Sequence, residues 1–300
     1  MFAKLGRAVT TAWALGLAST VSAQAPDCLD TAAALEFWRP IAATAGSADA
    51  EALAQPLLQC LNSPNSELRD DIAYGLFSTW LRDEQLSAER QQFLLQRLSA
   101  NLGSASAELS LQRSFSALII SELLRADALR AFMTPSQREQ LLQTSVQALR
   151  VERDFRGWEE GLGWVHPIAH MADVMWRFAL HPTLTEAQAT LILSAVRGKA
   201  STAESFYHFN EGDRLARPIA ILLRRGALSS SAWLNWLASF DSPNSLSTWS
   251  AALGSAAGLN ELHNSKLFIR ALSDQLRGVE LDRPVQEKLE ELVAQFTDLV

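Results

Sequence analysis

The 300-residue sequence lacks the features that mark disordered, fibrous and nucleic-acid-binding proteins. It has two cysteines, ten prolines and fourteen glycines, and 20% of its residues are charged. These ordinary proportions exclude a disordered or fibrous chain, and a hydrophobic content of 48% is enough to bury a large core. The net charge is −7, and no basic run occurs beyond the extreme N-terminus. We therefore expect no nucleic-acid partner.

The sequence also lacks an apolar run of about 20 residues, which is the length that a membrane-spanning helix needs. We therefore expect no membrane span. The N-terminus has instead the pattern of a secretion signal, with a basic start, a short apolar stretch and then small residues. This pattern predicts a signal peptide over 1–25, cleaved near Ala23 or Ala25, and a periplasmic mature protein.

Both cysteines lie near the expected mature N-terminus, in a compartment that permits disulfides. Two helices are expected between Cys28 and Cys60, at about 31–44 and 49–61, joined around 46–47. In an antiparallel helical hairpin, the start of the first helix lies beside the end of the second. The sequence therefore predicts a Cys28–Cys60 disulfide, with two buried free thiols as the alternative.

No run of alternating apolar residues indicates a β-sheet. The chain has the pattern of about a dozen or more helices with short loops, including helices expected at 247–258 and 264–277. This all-α pattern favours an irregular stack of helical hairpins, an α-solenoid of HEAT-like type, and a closed α/α toroid is the alternative. The expected parts of the single domain are a hairpin over 26–62, a core over 63–226 and C-terminal helices over 227–300.

The stretch 151–180 contains three glycines, three tryptophans and two histidines. Its glycines disfavour a helix, so 156–165 are expected to form a loop. The next helix is expected to begin near His166, because Pro167 fits a first helical turn. We expect the loop to pack against this helix and to border the main pocket, with Trp164 in the pocket wall.

His166, His170 and Asp173 recur at spacings of three and four, which places them on one helix face. Two histidines four apart can share a metal ion, and Asp173 could be the third ligand. A divalent metal is therefore one interpretation. Pro167 stands where the zincin pattern has a glutamate, and the alternative is a structural polar network.

Further ionisable groups on both sides of this helix are candidates for acid–base chemistry. The candidate catalytic residues are Glu152, Asp154, His170 and Asp213. If these side chains share one concave surface, they are sufficient for the active site of a metal-dependent or acid–base hydrolase. Neighbouring arginines would instead neutralise the carboxylates. We expect this arginine-paired network, with Glu152 or Asp154 folded back within reach of the histidine face.

The sequence has nine tryptophans and only two tyrosines. Trp158 and Trp164 lie in the glycine loop, where side chains are often exposed, and Arg156 begins that loop. Exposed aromatic rings can stack on sugar rings or on peptide. These three residues are the candidate binding residues, and the expected partner is an unknown protein, a peptide or cell-wall glycan.

Five segments resemble a bacterial family. They are, in order, LRDDIAYGLF, QRSFSALI, ERDFRGW, GWVHPIAHMAD and EGDRLA. The family is domain of unknown function 2785, the resemblance covers about 55–226, and GW-x-H-x-x-AH-x-AD is its most specific motif. It implies an all-helical protein and no agreed activity. The resemblance marks Arg69, Asp70, Arg113, Ser114, Glu152, Arg153, Asp154, Arg156, Gly157, Trp164, His166, His170, Asp173, Asp213 and Arg214.

Two functions follow from these patterns. The first is an exported helical-repeat protein that acts as a binding or scaffold module through a polar concave site. The second is a periplasmic hydrolase that uses a metal ion or an acid–base pair. A carboxylate left unpaired by arginine would favour the hydrolase, and the sequence leaves both functions open.

Overall fold

The computed structural model describes residues 25–44, 49–104 and 106–299. The expected signal peptide, apart from Ala25, and the expected turn at 46–47 lie outside these residues. In the described ranges the chain forms thirteen α-helices and one two-stranded hairpin, which confirms the all-α fold class. No helix in these ranges is long and apolar enough to cross a membrane.

The helices follow one another with short connections. They are α1 Thr31–Ala43, α2 Ala50–Leu57, α3 Gly75–Arg82, α4 Ala88–Leu102, α5 Ser110–Leu129, α6 Pro135–Val151, α7 Pro167–Leu180, α8 Glu186–Ala200, α9 Glu211–Arg224, α10 Ser230–Ala238, α11 Trp249–Ala252, α12 Ala256–Gln275 and α13 Arg283–Asp298. A π-helical segment, Glu67–Tyr74, leads directly into α3, and 3-10 turns occupy Leu58–Asn62 and Ala107–Leu109. The strands are β1 Trp158–Glu159 and β2 Gly163–Trp164.

Side-chain caps fix the starts of α6 and α8. The Thr134 side chain accepts a hydrogen bond from the backbone N–H of Gln137, whose own side chain accepts from the Thr134 backbone. Thr185 and Gln188 repeat this reciprocal pair at the start of α8. Each capping box satisfies two backbone donors that a helix end leaves unpaired.

The prediction of a single helix over 247–258 is wrong. The chain instead forms the four-residue α11 and then begins α12, with Ser255 accepting a hydrogen bond from the backbone N–H of Gly258. The two helices meet so closely that a Cβ on Gly258 would lie 2.3 Å from the carbonyl oxygen of Ala252. The helix expected at 264–277 is therefore the second half of a longer helix.

The helices pack in two rows around one hydrophobic core. In the first row, α3 packs against α5, α5 against α7, α7 against α9 and α9 against α12. In the second row, α4 contacts α6 and α6 contacts α8. The rows are joined by contacts of α4 with α5, α6 with α7 and α8 with α9, and the buried apolar side chains of both rows form one cluster.

A disulfide closes the N-terminal hairpin, as predicted. Cys28 and Cys60 are bonded, and their Cα atoms lie 5.0 Å apart. The hairpin also joins the first row of helices, because Arg39 in α1 makes hydrogen bonds of 2.6 and 2.7 Å to the Glu67 carboxylate at the start of the π-helical segment.

Candidate functional site

A pocket of about 340 Å³ opens where the π-helical segment, α5, α7 and α9 meet. It is lined by Asp70, Tyr74, Phe115, Leu118, Trp164, His166, His170, Phe209, Asn210 and Arg214. Three of the predicted site residues therefore share one pocket, and the residues beside them come from distant parts of the chain.

Irregular backbone converges on this pocket. Asp70 lies in the π-helical segment, a conformation that is rare and often marks functional sites. His166 and Asn210, which precede α7 and α9, have left-handed conformations with φ of 48° and 65°. Such a conformation costs about 1–2 kcal/mol for most residue types, so the surrounding contacts must hold it. Strain of this kind is characteristic of ligand-binding and catalytic sites.

The glycine loop forms a hairpin that Arg69 holds beside the pocket. The strands pair with Trp158 opposite Trp164, a short hairpin that the sequence pattern had not indicated. Arg69 is fully buried and donates hydrogen bonds to the carbonyl oxygens of Leu162 at 2.8 Å and Trp164 at 3.0 Å. Its guanidinium carbon also lies 4.8 Å from the centre of the Phe115 ring. These contacts position Trp164 at the pocket.

Three aromatic rings form one wall of the pocket. Trp164 stacks on His166 with a centroid distance of 4.8 Å, and its ring meets that of Phe209 edge to face at 5.8 Å. Gly157 allows the hairpin to approach, because a Cβ there would lie 2.0 Å from Cδ2 of Phe209. Trp164 keeps 43% of its surface exposed, so one part of its ring is accessible to a ligand.

His170 lines the pocket and has one ring nitrogen without a hydrogen-bond partner among the described residues. Its Nδ1 lies 2.8 Å from Oγ of Ser114, and the same hydroxyl donates its hydrogen to the carbonyl oxygen of Val165. Nδ1 must therefore be the donor to Ser114, which leaves a lone pair on Nε2. Among the described residues Nε2 has no hydrogen-bond partner. Burial, reinforced by the charges of His166 and Arg214, lowers the pKa of His170 to about 3, so the ring stays neutral.

His166 joins the beginnings of two neighbouring helices. Its Nε2 lies 2.8 Å from the carbonyl oxygen of Phe209 and 3.4 Å from Oε1 of Glu211. Burial acts to raise the pKa of Glu211, but hydrogen bonds from His166 and from backbone N–H groups lower it overall. The Glu211 carboxylate is therefore charged, and it links the beginning of α9 to the His166 ring before α7.

Asp70 is the one acid among the residues that line this pocket, and its carboxylate lies beside the buried guanidinium group of Arg69. Its Oδ1 lies 2.7 Å from Nε of Arg69, but the two atoms do not form a hydrogen bond. Burial raises the pKa of Asp70 to about 6, although the charge of Arg69 opposes the shift. A carboxyl group with a pKa near neutral pH can act as a general acid or a general base in catalysis. Only the family resemblance had marked Asp70, which was absent from the candidate catalytic residues.

The three predicted metal ligands have separate partners. Asp173 accepts hydrogen bonds of 2.7 Å at both carboxylate oxygens from Nη1 of Arg214. His166 contacts Phe209 and Glu211 through Nε2, and His170 contacts Ser114 through Nδ1, so each ring keeps one nitrogen without a hydrogen-bond partner among the described residues. Within the part of the chain that the structure describes, no group of three or more histidine, cysteine or acidic side chains could hold a metal ion. Metal binding at these residues stays a prediction.

Glu152 and Asp154 do not approach the histidine face. Glu152 pairs with Arg113 through hydrogen bonds of 3.2 and 3.3 Å, and Asp154 pairs with Arg156 at 2.6 and 2.8 Å. These four side chains line a separate cavity of about 920 Å³. The glycine loop borders this larger cavity through Arg156, whereas Trp164 lines the smaller pocket.

The other candidates lie outside the pocket. Asp213 is exposed in the first turn of α9, and Trp158 is 43% exposed without lining the pocket. Phe209 and Asn210 were missed by the sequence analysis, because nothing in the local sequence shows that the loop before α9 meets the glycine hairpin.

No curated protein and no solved structure matches the chain. A family model does match, over residues 98–273, beginning and ending later than the stretch expected from the resemblance. The match covers the α5, α7 and α9 walls of the pocket, and Asp70 and Tyr74 precede it. It spans more than half of the sequence, and the chain therefore belongs to the family described as Protein of unknown function (DUF2785).

Proposed function

We propose that the protein is an exported binding module and that the pocket beside Trp164 is its ligand site. The observation that carries the proposal is the free Nε2 of His170, a hydrogen-bond acceptor that no described residue satisfies. An acceptor without a protein partner, on a residue that lines a pocket, can receive a hydrogen bond from a ligand that carries a donor. Asp70 supplies a second acceptor, and Trp164 supplies a flat apolar surface.

These three groups suit a sugar ring better than an apolar ligand. Sugar hydroxyl groups can donate to Nε2 of His170 and to the Asp70 carboxylate, while the C–H face of the ring covers Trp164. Cell-wall glycan has this chemistry and is present in the periplasm. A peptide would offer backbone N–H donors instead, and it is the alternative ligand.

Export and architecture belong to the same proposal. The Cys28–Cys60 disulfide is compatible with a periplasmic protein whose signal peptide is cleaved near Ala23 or Ala25. The two-row packing supports an irregular α-solenoid, with the row α5–α7–α9 on the side that carries the pocket. The N-terminal hairpin of 26–62, the core of 63–226 and the C-terminal helices of 227–300 would then form one domain.

Calorimetric titration with soluble glycan fragments of bacterial cell wall tests this function. Trp164→Ala should weaken binding about tenfold, because loss of an aromatic stack costs about 1 kcal/mol or more. Trp158→Ala is the matched control, since Trp158 is equally exposed and lies opposite Trp164 in the hairpin but outside the pocket. No binding to the wild type, or equal losses in both variants, would contradict the proposal. Binding of cell-wall peptides without sugar would assign the pocket to peptide.

Asp70 favours a second candidate function, an acid–base hydrolase. Its raised pKa allows proton transfer near neutral pH, and the neutral His170 ring lines the same pocket. Mass spectrometry of glycan fragments after incubation with the wild type and with Asp70→Asn separates the two functions. Cleavage by the wild type alone would support the hydrolase, and intact fragments in both samples would support the binding module.

A further inference from the structure

Beside the pocket, the first row of helices carries more arginines than acids. The residues, here called the arginine cluster, are Arg82, Arg125, Arg177, Arg214 and Arg217, with Glu122 and Asp173 among them. Five guanidinium groups accompany two carboxylates, a local excess of positive charge in a chain whose net charge is −7.

The arginine cluster lies next to the pocket, on the faces of α5 and α7 that also line the pocket. On α5, Leu118 lines the pocket, and Glu122 and Arg125 follow at spacings of four and three. On α7, His170 lines the pocket, and Arg177 follows two turns later. A ligand that occupied the pocket could therefore reach both places.

Tyr74 links the pocket to the cluster. It lines the pocket, burial raises the pKa of its hydroxyl, and the charges of Glu122 and Asp173 raise it further while Arg82 opposes them. The cluster is thus within electrostatic reach of a residue in the pocket wall.

Two arginines satisfy the two carboxylates. Arg82 donates hydrogen bonds to Glu122 at 3.0 and 2.5 Å, and Arg214 donates to both oxygens of Asp173 at 2.7 Å. Both pairs are close enough to be charge-assisted hydrogen bonds. Each carboxylate is therefore already occupied by one guanidinium group.

The other three arginines are not paired in this way. Nη2 of Arg177 is 3.9 Å from Glu122, and Nη1 of Arg217 is 4.0 Å from Asp173, which are ion-pair contacts without hydrogen bonds. Arg125 makes no ion pair with any residue that the structure describes. These groups retain donors for a further anion.

Arg177 lies at the centre of the cluster, 4.2 Å from the centre of the Trp176 ring, and it has an unsatisfied donor. Its Nε is buried and has no hydrogen-bond partner among the described residues. Burial lowers the pKa of Arg177, Glu122 opposes this shift, and the charges of Arg125 and Arg82 add to it. A network with a purely structural role would match these charges, because an unpartnered buried donor destabilises the fold.

We propose that the arginine cluster binds an oxyanion, a phosphate or carboxylate group carried by the ligand of the pocket. Planar guanidinium groups match both kinds of oxyanion and bind them through paired N–H donors. The placement of the anion on the pocket's ligand rests on the proposed function, whereas oxyanion binding by the cluster can be measured by itself.

Inorganic phosphate and citrate are suitable probes for the full chain at constant ionic strength. Both the arginine Nε–Hε signals in nitrogen NMR and the thermal midpoint should respond and saturate, because a bound anion stabilises the folded state. Arg177→Gln and Arg125→Gln should each weaken binding about tenfold, the loss expected for a charge-assisted hydrogen bond. Arg283→Gln, which removes an exposed arginine paired with Glu287, is the control that retains binding.

The outcomes separate the sources of the oxyanion and the two proposals. Tighter phosphate binding would identify a phosphate group, and tighter citrate binding a carboxylate group. Responses that do not saturate, or that are equal in the wild type and in Arg125→Gln, would overturn the inference even if Arg177→Gln failed to fold. Glycan binding that depends on Trp164 would then leave the proposed function standing, whereas oxyanion binding without any glycan binding would refute that function alone.

Discussion

At the scale of single residues, the pocket differs from the cavity lined by Glu152 and Asp154 in how its charges are compensated. Asp154 and Glu152 are each held by an arginine, as the sequence analysis expected for an arginine-paired network. Asp70 and His170 are instead destabilised in their charged forms by burial. Residues that lower the free energy of unfolding are characteristic of functional sites, because the groups needed for binding or catalysis are often not the most stable choice for the fold.

Asp70→Asn is expected to increase the free energy of unfolding above pH 6. The folded pKa of about 6 exceeds the ordinary value of 3.8, so the folded state binds more protons between these values. The stability of the wild type therefore falls as the pH rises through 6, and the neutral variant avoids this loss. The gain at pH 7 should be about 1–2 kcal/mol, after allowance for the partial exposure of the side chain. Urea unfolding at pH 4 and pH 7 measures it.

Asp154→Asn is the opposite case and serves as the control. Burial acts to raise the pKa of Asp154, but hydrogen bonds from Arg156 and Ser110 lower it overall. The carboxylate therefore contributes stability above its ordinary pKa that is lost as the pH falls. This variant should be less stable than the wild type at pH 7. A loss of stability in both variants at pH 7 would show that Asp70 is a structural group.

At the scale of elements, the glycine hairpin depends on contact with the loop before α9. Gly157→Ala should destabilise the protein by about 1–3 kcal/mol, because the new methyl group would displace the Phe209 ring. Displacement of that ring should also weaken ligand binding, since Phe209 contacts Trp164. Urea unfolding and the glycan titration measure the two effects.

Gly198→Ala is the matched control for the hairpin substitution. Gly198 lies within α8, and a Cβ there would meet no atom within 4 Å. Alanine favours the helix by about 0.5–1 kcal/mol over glycine, so this variant should be more stable and should bind normally. Similar effects of the two substitutions would argue that the hairpin contact has no special role.

At the scale of the whole molecule, the disulfide closes the N-terminal hairpin that packs against the first row of helices. Replacing both Cys28 and Cys60 by alanine should lower the free energy of unfolding by about 3–4 kcal/mol, because the bond closes a loop over a sequence separation of 32 residues. Guanidinium unfolding with and without reductant measures the loss. Reductant should act on the wild type and leave the double variant unchanged, and an unaffected wild type would contradict the prediction.

Much of the helical fold could be predicted because its signals are local. The capping residues Thr134 and Thr185 fix helix starts within one turn, and the disulfide follows from the geometry of a single hairpin. The break between α11 and α12 could not be predicted, because it depends on the close packing of Gly258 against Ala252. That contact arises only in the folded chain.

The candidate site divides in the same way. His166, His170 and Trp164 were recognised because they lie in one short segment with an unusual composition. Asp70 was missed because its raised pKa comes from burial in a π-helical segment that has no sequence signature. Tertiary contacts also decide where each acid lies, so the sequence indicates the arginine pairing of Glu152 and Asp154 but not their separation from His166 and His170.

The proposed ligand site depends on an unprotonated Nε2 of His170. Nitrogen NMR of the histidine rings between pH 4 and pH 8 measures its protonation, with assignment from the His170→Gln variant. We expect a neutral ring with hydrogen on Nδ1 throughout this range, and an Nε2 signal that shifts when glycan fragments are added. A ring that becomes protonated near pH 6.5, or that carries its hydrogen on Nε2, would refute this role of His170.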